Sequence, residues 1–325
     1  MYYEPKHGEV IANRFKAITL LGKGVYSSVV KLEDSQTGQQ YAWKVIIDSE
    51  QVVIAGKREY SILRALSDAD PLNSKHILRV HQELIHGKFY GFLVELMKQN
   101  ARDTIAKGVG NRTTALKRTQ QLARSMLISL QHLKRNSIAH LDLKLDNILI
   151  DDKDEFKLGD FSSAYLVYEI PKGQQLMPLF YRAPESFLGY PIGCHSDVWG
   201  LACCLYEFYT GRFLFSGKSE YEVIEAISAT IGPFSNKFIA KSPNRHDYFD
   251  SSNALLHRSS TVHKRLKERL LMEPVPEVAK PLGHFIDLLE RMLHYNPKKR
   301  IAVEEALQHK FLKTNIIVKS KSQDN

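Results

Sequence analysis

Cysteine is scarce in this chain. Only Cys194, Cys203 and Cys204 occur in 325 residues, and the last two are adjacent. Adjacent cysteines are poorly placed to bridge one another, so a disulfide-stapled secreted fold is excluded and a reducing compartment fits best. Cysteine and histidine never fall at the spacing of a structural zinc site. Long apolar runs are missing too: none approaches the roughly eighteen residues of a membrane span, and the start, Met1-Tyr2-Tyr3-Glu4-Pro5-Lys6-His7, has no apolar core of a signal peptide. Secretion and membrane insertion are therefore not expected. Internal repeats are absent. The net charge of +9 is spread along the chain, and no aromatic-basic RNA motif accompanies it, so a solvated basic surface is expected rather than a nucleic-acid site. What remains, at 43% hydrophobic and 25% charged, is an ordinary globular composition with length for one large or two modest domains.

The stretch around which the rest is organised runs from Ile138 to Ser163. Two apolar runs, Asn147 to Ile150 and Phe156 to Leu158, flank the turn-rich Asp151 to Asp154 and predict a short hairpin. Asp142 and Lys144 lie on the loop entering it, Asn147 at its start, and Asp160 just past its second strand. Phosphoryl transfer from a magnesium nucleotide needs such a set. Asp142 would orient the attacking hydroxyl and accept its proton, Lys144 would neutralise charge on the transferring group, and Asn147 with Asp160 would offer oxygen ligands to Mg²⁺. The competing reading is an ordinary acidic turn.

Upstream, strand-like segments at Phe15 to Leu20 and Val29 to Leu32 enclose Leu21, Gly22, Lys23, Gly24, Val25, Tyr26, Ser27, Ser28 and Val29. Glycines let backbone approach phosphates, and a strand-loop-strand context suits a flap over a nucleotide. Ala42 and Lys44 follow on the strand Gln40 to Ile47, and then a helix from about Lys57 to Leu66 carries Glu59. The order of these features suggests a Lys44–Glu59 ion pair holding the ammonium on the α- and β-phosphates. Asp70-Pro71-Leu72-Asn73 ends that helix, and two strands follow at His76 to Leu84 and Lys88 to Leu96. Met97 to Arg102 is the expected hinge, where adenine would pair with backbone groups. Beyond it the apolar spacing turns helical, with segments predicted at Leu116 to Lys134, up to Tyr209, at Tyr221 to Ile231, His284 to His294 and Val303 to Lys310. The fold class is thus α+β and bilobal. Residues 1–98 form a small sheet-rich lobe with one main helix, residues 99–313 a larger helical lobe with a polar insert at about 232–280, and residues 314–325 a polar tail.

The loop His140-Leu141-Asp142-Leu143-Lys144-Leu145-Asp146-Asn147, with Asp160-Phe161-Ser162, resembles the catalytic loop and metal motif of eukaryotic protein kinases. Residues 8 to 313 look like a complete kinase domain. Phe180-Tyr181-Arg182-Ala183-Pro184-Glu185 and the late insert resemble the group holding the cyclin-dependent, dual-specificity and splicing-linked kinases. Several stretches resemble the pre-mRNA-processing Prp-four kinases more closely: Gly22 to Val30, Leu66 to Pro71, Leu133 to His140 and Leu205 to Gly217. That resemblance implies a monomeric serine/threonine kinase using ATP and Mg²⁺ on splicing-associated proteins, with no membrane partner and no direct nucleic-acid site. It also implies a nuclear location, with a cytoplasmic pool allowed. It further implies that Asp197 braces the catalytic loop and that Glu185 pairs with Arg300.

The departures from the family pattern carry their own expectations. Leu141 stands at the arginine before the catalytic aspartate, Ser162 at the metal-motif glycine, Leu145 at a common proline and Pro178 at a usual serine or threonine. They motivate a rival reading, a nucleotide-binding pseudokinase scaffold. Against it, Lys44, Glu59, Asp142, Lys144, Asn147 and Asp160 are all present. Gln175 occupies the position of an activating tyrosine in related kinases, so phosphate acceptor and arginine receptor are missing together. The segment is then expected to be ordered without phosphate, by packing of Leu176, Met177 and Leu179 and by Arg182 bonding backbone carbonyls or Gln175.

Overall fold

The computed structural model describes residues 2–108, 110–257, 264–272 and 276–318. The chain divides into two compact units, residues 1–100 with 148–164, and residues 101–147 with 165–325.

The first unit is a six-stranded antiparallel sheet: β1 (Val10–Ile11), β2 (Phe15–Lys23), β3 (Ser27–Asp34), β4 (Gln40–Ile46), β5 (Val80–His86) and β6 (Phe89–Glu95), in the order β1-β2-β3-β4-β6-β5. Alternation sends Trp43 and Val45 of β4 into an apolar cluster with Phe15, Leu32 and Leu93, and sends Ala42, Lys44 and Ile46 to the opposite face. Helix α1 (Glu50–Asp68) buries Gly56, Glu59, Ile62, Leu63 and Leu66, the spacing of one helical face. Gly56 is required there, since a Cβ would stand 2.7 Å from Ile46 Cγ1. The helix begins seven residues before the expected Lys57, because Val52, Val53 and Ile54 follow Ser49, whose extended backbone starts the first turn. The β-branched run weakens helix propensity without preventing the helix, as packing decides the outcome.

The hairpin Ile148–Ile150 with Phe156–Leu158 groups with this unit, although the sequence suggested the larger lobe. Its bonds explain the grouping: Gln99 and Asn100 pair with its first strand, the Leu158 N–H donates to His76 O at 2.8 Å and the Leu78 N–H to Leu158 O at 2.8 Å.

The second unit is helical, built on α2 (Ala101–Ala106), α3 (Arg112–Arg135), α4 (Pro184–Phe187), α5 (Cys194–Thr210), α6 (Glu220–Ile231) and the helix Ala279–Met292. Leu122, Met126, Leu130 and Leu133 of α3 are buried as the periodicity predicts. The expected helix Val303 to Lys310 is two short ones, Val303–Ala306 and Lys310–Lys313, because His309 adopts an extended backbone and caps the second. The insert carries short helices at Asn236–Ala240, Arg245–Tyr248 and Leu266–Leu271. Residues 273–275 of Glu273-Pro-Val-Pro and residues 319–325 of the polar tail lie outside the described residues. Among the described residues, no helix is long and apolar enough to cross a membrane.

Candidate functional site

In the first unit Lys44 is fixed by its strand. It lies opposite Val29 of β3 and Phe92 of β6, and Gly91 is needed beside it, since a Cβ there would meet Lys44 O at 2.3 Å. From that position its Nζ donates to Glu59 Oε1 at 2.7 Å, Glu59 Oε2 at 2.9 Å and Asp160 Oδ1 at 3.0 Å. Burial works against the ammonium, but the two carboxylates outweigh it and hold the Lys44 pKa above its ordinary value. Glu59 is 2% exposed, and its Oε1 also accepts the Phe161 N–H at 3.1 Å. Burial raises the Glu59 carboxyl while Lys44 opposes the rise, the balance of a buried ion pair. Helix, strand and hairpin thus converge on one cation.

Asp160 holds a left-handed backbone at φ +54°, a conformation aspartate tolerates better than most residues. Ser162, where glycine was expected, donates its N–H to Asp160 Oδ1 at 3.4 Å, and its carbonyl accepts from Arg58 at 3.1 Å.

The glycine-rich segment forms the β2–β3 turn, with Gly24 N–H bonded to Ser27 O at 2.8 Å and Val25 and Tyr26 exposed. Sequence reasoning missed a strap across it. The Tyr2 hydroxyl lies 2.9 Å from both Gly24 O and Val25 O, Glu4 pairs with Lys23 at 2.6 Å, and Ser28 Oγ donates to Tyr3 O at 3.3 Å. Tyr3 is anchored edge-on against Trp43 and Phe89, each ring 5.1 Å away.

In the second unit the loop before the hairpin gathers Asp142, Lys144 and Asn147. Lys144 Nζ donates to Asp142 Oδ2 at 2.8 Å, and Asn147 Nδ2 donates to Asp142 O and Oδ2, both at 2.8 Å. The aspartate is therefore held by a cation and an amide, with Asn147 Oδ1 outside those bonds. Leu141, fully buried, has φ +62°, a conformation that costs a leucine about 1–2 kcal/mol. Asp197 offsets that strain: its two carboxylate oxygens accept the His140 and Leu141 N–H groups, each at 2.8 Å. Asp197 lies inside α5, whose N-cap is Gly193, so it is a brace rather than a cap. Burial pushes its carboxyl up to about 6, against His140 and the two N–H donors.

Two further clusters support this loop. Arg102 donates to Asp146 at 2.9 Å, to Glu207 at 2.7 Å and to the Tyr181 hydroxyl at 2.8 Å, joining α2, the loop, α5 and the segment before Ala183. Nothing in the sequence pairs these groups. Glu185 and Arg300, both buried, form a fork with bonds of 2.7 and 2.8 Å. Burial alone would raise the Glu185 carboxyl, but Arg300 brings it below its usual range.

Arg182 donates to Met177 O at 3.0 Å and Gln175 Oε1 at 2.7 Å, both expected. Its third acceptor, Glu220 Oε1 at 2.6 Å, was not foreseen. Met177 is buried, while Leu176 and Leu179 are half-buried.

A Lys–Glu pair carrying an aspartate after a hairpin, and an Asp-Lys-Asn loop braced by a helix aspartate, agree with a sequence comparison in which the model of the protein kinase domain matches residues 15–312. The chain belongs to the protein kinase family. The serine/threonine-protein kinase prp4 of Schizosaccharomyces pombe is 31% identical over 95% of this kinase and 69% of its own length. The serine/threonine-protein kinase prpf4B of Dictyostelium discoideum is 28% identical over 96% of this chain and 41% of its own. The dual specificity tyrosine-phosphorylation-regulated kinase 2 of Drosophila melanogaster is 29% identical over 93% and 42%. The kinase thus spans about two thirds of the first relative and less than half of the other two.

Proposed function

We propose that this kinase transfers the γ-phosphate of Mg·ATP to serine and threonine hydroxyls of proteins that act in pre-mRNA splicing, as a nuclear monomer. The observation that carries the transfer reading is Asp142 held by Lys144 and Asn147, an arrangement that a nucleotide-binding scaffold would have no chemical need to keep, while the Lys44–Glu59–Asp160 triad supports nucleotide binding. Asp142, positioned by Lys144 and Asn147, is assigned as the group that orients the substrate hydroxyl and takes its proton. Lys44 is assigned to the α- and β-phosphates, and residues 21–29 with Ala42 to the nucleotide. Asn147 and Asp160 offer only oxygen, the donor chemistry that suits Mg²⁺, and are assigned as its ligands. When bound, the ion supplies charge neutralisation on the phosphates. No observation favours the pseudokinase reading, since Ser162 changes backbone freedom and not a ligating group.

The splicing role rests on the resemblance to Prp-four kinases and on the related names above. Transfer of labelled phosphate from ATP to a generic basic protein tests the activity. Wild type should transfer, and Asp142→Asn and Asp160→Asn should each lose a factor of about 10² or more. Nucleotide binding without transfer in the wild type would establish the scaffold instead. Capture from cells that recovers no splicing factors would remove the finer role.

A further inference from the structure

Away from these residues the second unit carries a cleft of about 860 Å³, between the segment after Glu185, the short helix Asn236–Ala240 and the loop after the helix Ala279–Met292. Its rim holds Lys237, Lys241, Lys298 and Lys299, all exposed, and among the described residues no aspartate or glutamate lines it. Among the described residues, none of these four lysines makes an ion pair. A chain with 36 acidic residues has ample means to neutralise such a rim, and this one leaves it positive.

The walls are built rather than loose. Arg300 donates to His294 O at 3.1 Å and His195 O at 2.7 Å while forked onto Glu185, which ties two of the lining segments together. The Tyr190 hydroxyl donates to Phe238 O at 2.5 Å and the two rings stack with centroids 4.9 Å apart, which ties on the third. The Tyr295 hydroxyl bonds Gly232 O. A preformed cleft pays little ordering cost on binding.

We propose that this cleft docks an Asp/Glu-rich segment of a protein substrate. The inference rests on the reading of the chain as a kinase of proteins and adds to it a substrate class: proteins carrying an acidic stretch separate from the phosphorylated hydroxyl, since no residue assigned to transfer lines the cleft. RNA is the less suited occupant. The rings of Tyr190 and Phe238 are half-buried and stacked on each other, so they do not offer the open faces on which bases stack. Each exposed lysine contributes modestly, and the four together set a salt-sensitive affinity and a faster encounter.

The experiment uses the full chain and a short fluorescein-labelled poly-glutamate peptide, followed by anisotropy at low and at physiological salt. Replacing all four lysines by glutamine should weaken binding by about tenfold or more. The pair variants K237Q/K241Q and K298Q/K299Q should each lose part of it, with melting temperatures unchanged. In the four-lysine variant, transfer to a short neutral peptide should be unchanged, while KM for the same peptide extended by glutamates should rise. Equal binding of the glutamate probe by wild type and variant overturns the proposal. So does binding of labelled poly-uridine in place of the peptide when the lysines are what it needs. Absence of transfer in the wild type with lysine-dependent peptide binding intact would remove the kinase reading and leave the docking surface.

Discussion

Glu220→Ala tests how the activation segment is ordered. The Arg182 side chain is only 9% exposed, and its charge is met by one carboxylate, Glu220, at 2.6 Å, with Gln175 and the Met177 carbonyl completing the set. Glu220 is itself held in place, its Oε2 accepting from the Tyr248 hydroxyl at 2.9 Å and from Gln175 Nε2 at 3.2 Å. Burial would raise its carboxyl, but the bond to Arg182 brings it below the usual carboxylate range. Its contribution is therefore present above about pH 4.3 and is lost as pH falls through the lower folded value, so a neutral assay sits on the plateau. Removing one partner of a fully buried pair costs about 3–5 kcal/mol. Glu220 is 34% exposed and two acceptors stay with Arg182, so roughly 1–2 kcal/mol is the better expectation. That corresponds to about a five- to thirtyfold loss of ordered segment. Enzyme made in bacteria and treated with phosphatase should keep wild-type activity. The Glu220→Ala enzyme should lose about tenfold in kcat/KM for a peptide and be cut faster by protease between residues 170 and 180. Equal activity of the two enzymes would refute the role of Glu220. Loss of wild-type activity on phosphatase treatment, with phosphate found on Tyr165 or Tyr168, would refute ordering without phosphorylation altogether.

Three other outcomes follow from the geometry. Because burial raises Asp197 to about 6, its contribution to stability is complete below the ordinary aspartate range near ~4 and is lost as pH rises through about 6, whereas bracing of His140 and Leu141 needs the ionised form. Activity should therefore climb through pH about 6, and Asp197→Asn should be slow with that inflection gone from the pH–rate profile. Arg300→Met leaves the buried Glu185 uncompensated at a cost of about 3–5 kcal/mol and should lower the melting temperature by roughly ten degrees, while Glu185→Gln added to it should recover part of the loss in a double-mutant cycle. Tyr2→Phe removes the hydroxyl whose single proton is shared between Gly24 O and Val25 O, an interaction worth about 1 kcal/mol, so KM for ATP should rise roughly two- to fivefold with kcat unchanged.

What could be read from the sequence is what chain connectivity determines. The hairpin at Ile148 to Leu158 is announced by two apolar runs around Asp151, whose side chain accepts the Lys153 and Glu155 N–H groups at 2.8 and 2.9 Å. The helical face of α3 repeats at the helical period, and Gln175, seven residues before Arg182, lies within reach of any compact turn. The start of α1 was not readable, because β-branched residues favour a strand in isolation and only packing against β4 decides otherwise. Nor was the Arg102 cluster. Its partners lie 44, 79 and 105 positions away, and with 45 basic and 36 acidic residues the sequence offers far too many pairings for charge alone to choose.

The same distinction explains the activation segment. Leu141 announced that a phosphate receptor is missing, because one residue type at one position suffices to show it. Its replacement could not be read, since Glu220 is 38 positions from Arg182 and reaches it only because Ser219 caps α6 and directs its first turn toward the segment. Phosphorylation is one way to place a charge opposite an arginine, and such a charge can be removed. Here it is a carboxylate carried on a helix that packs through Val223, Ile224 and Ile227, so its position is determined by folding itself. With Glu220 in that place, ordering of the segment at Arg182 does not call on a phosphate, and phosphatase treatment is expected to leave it intact.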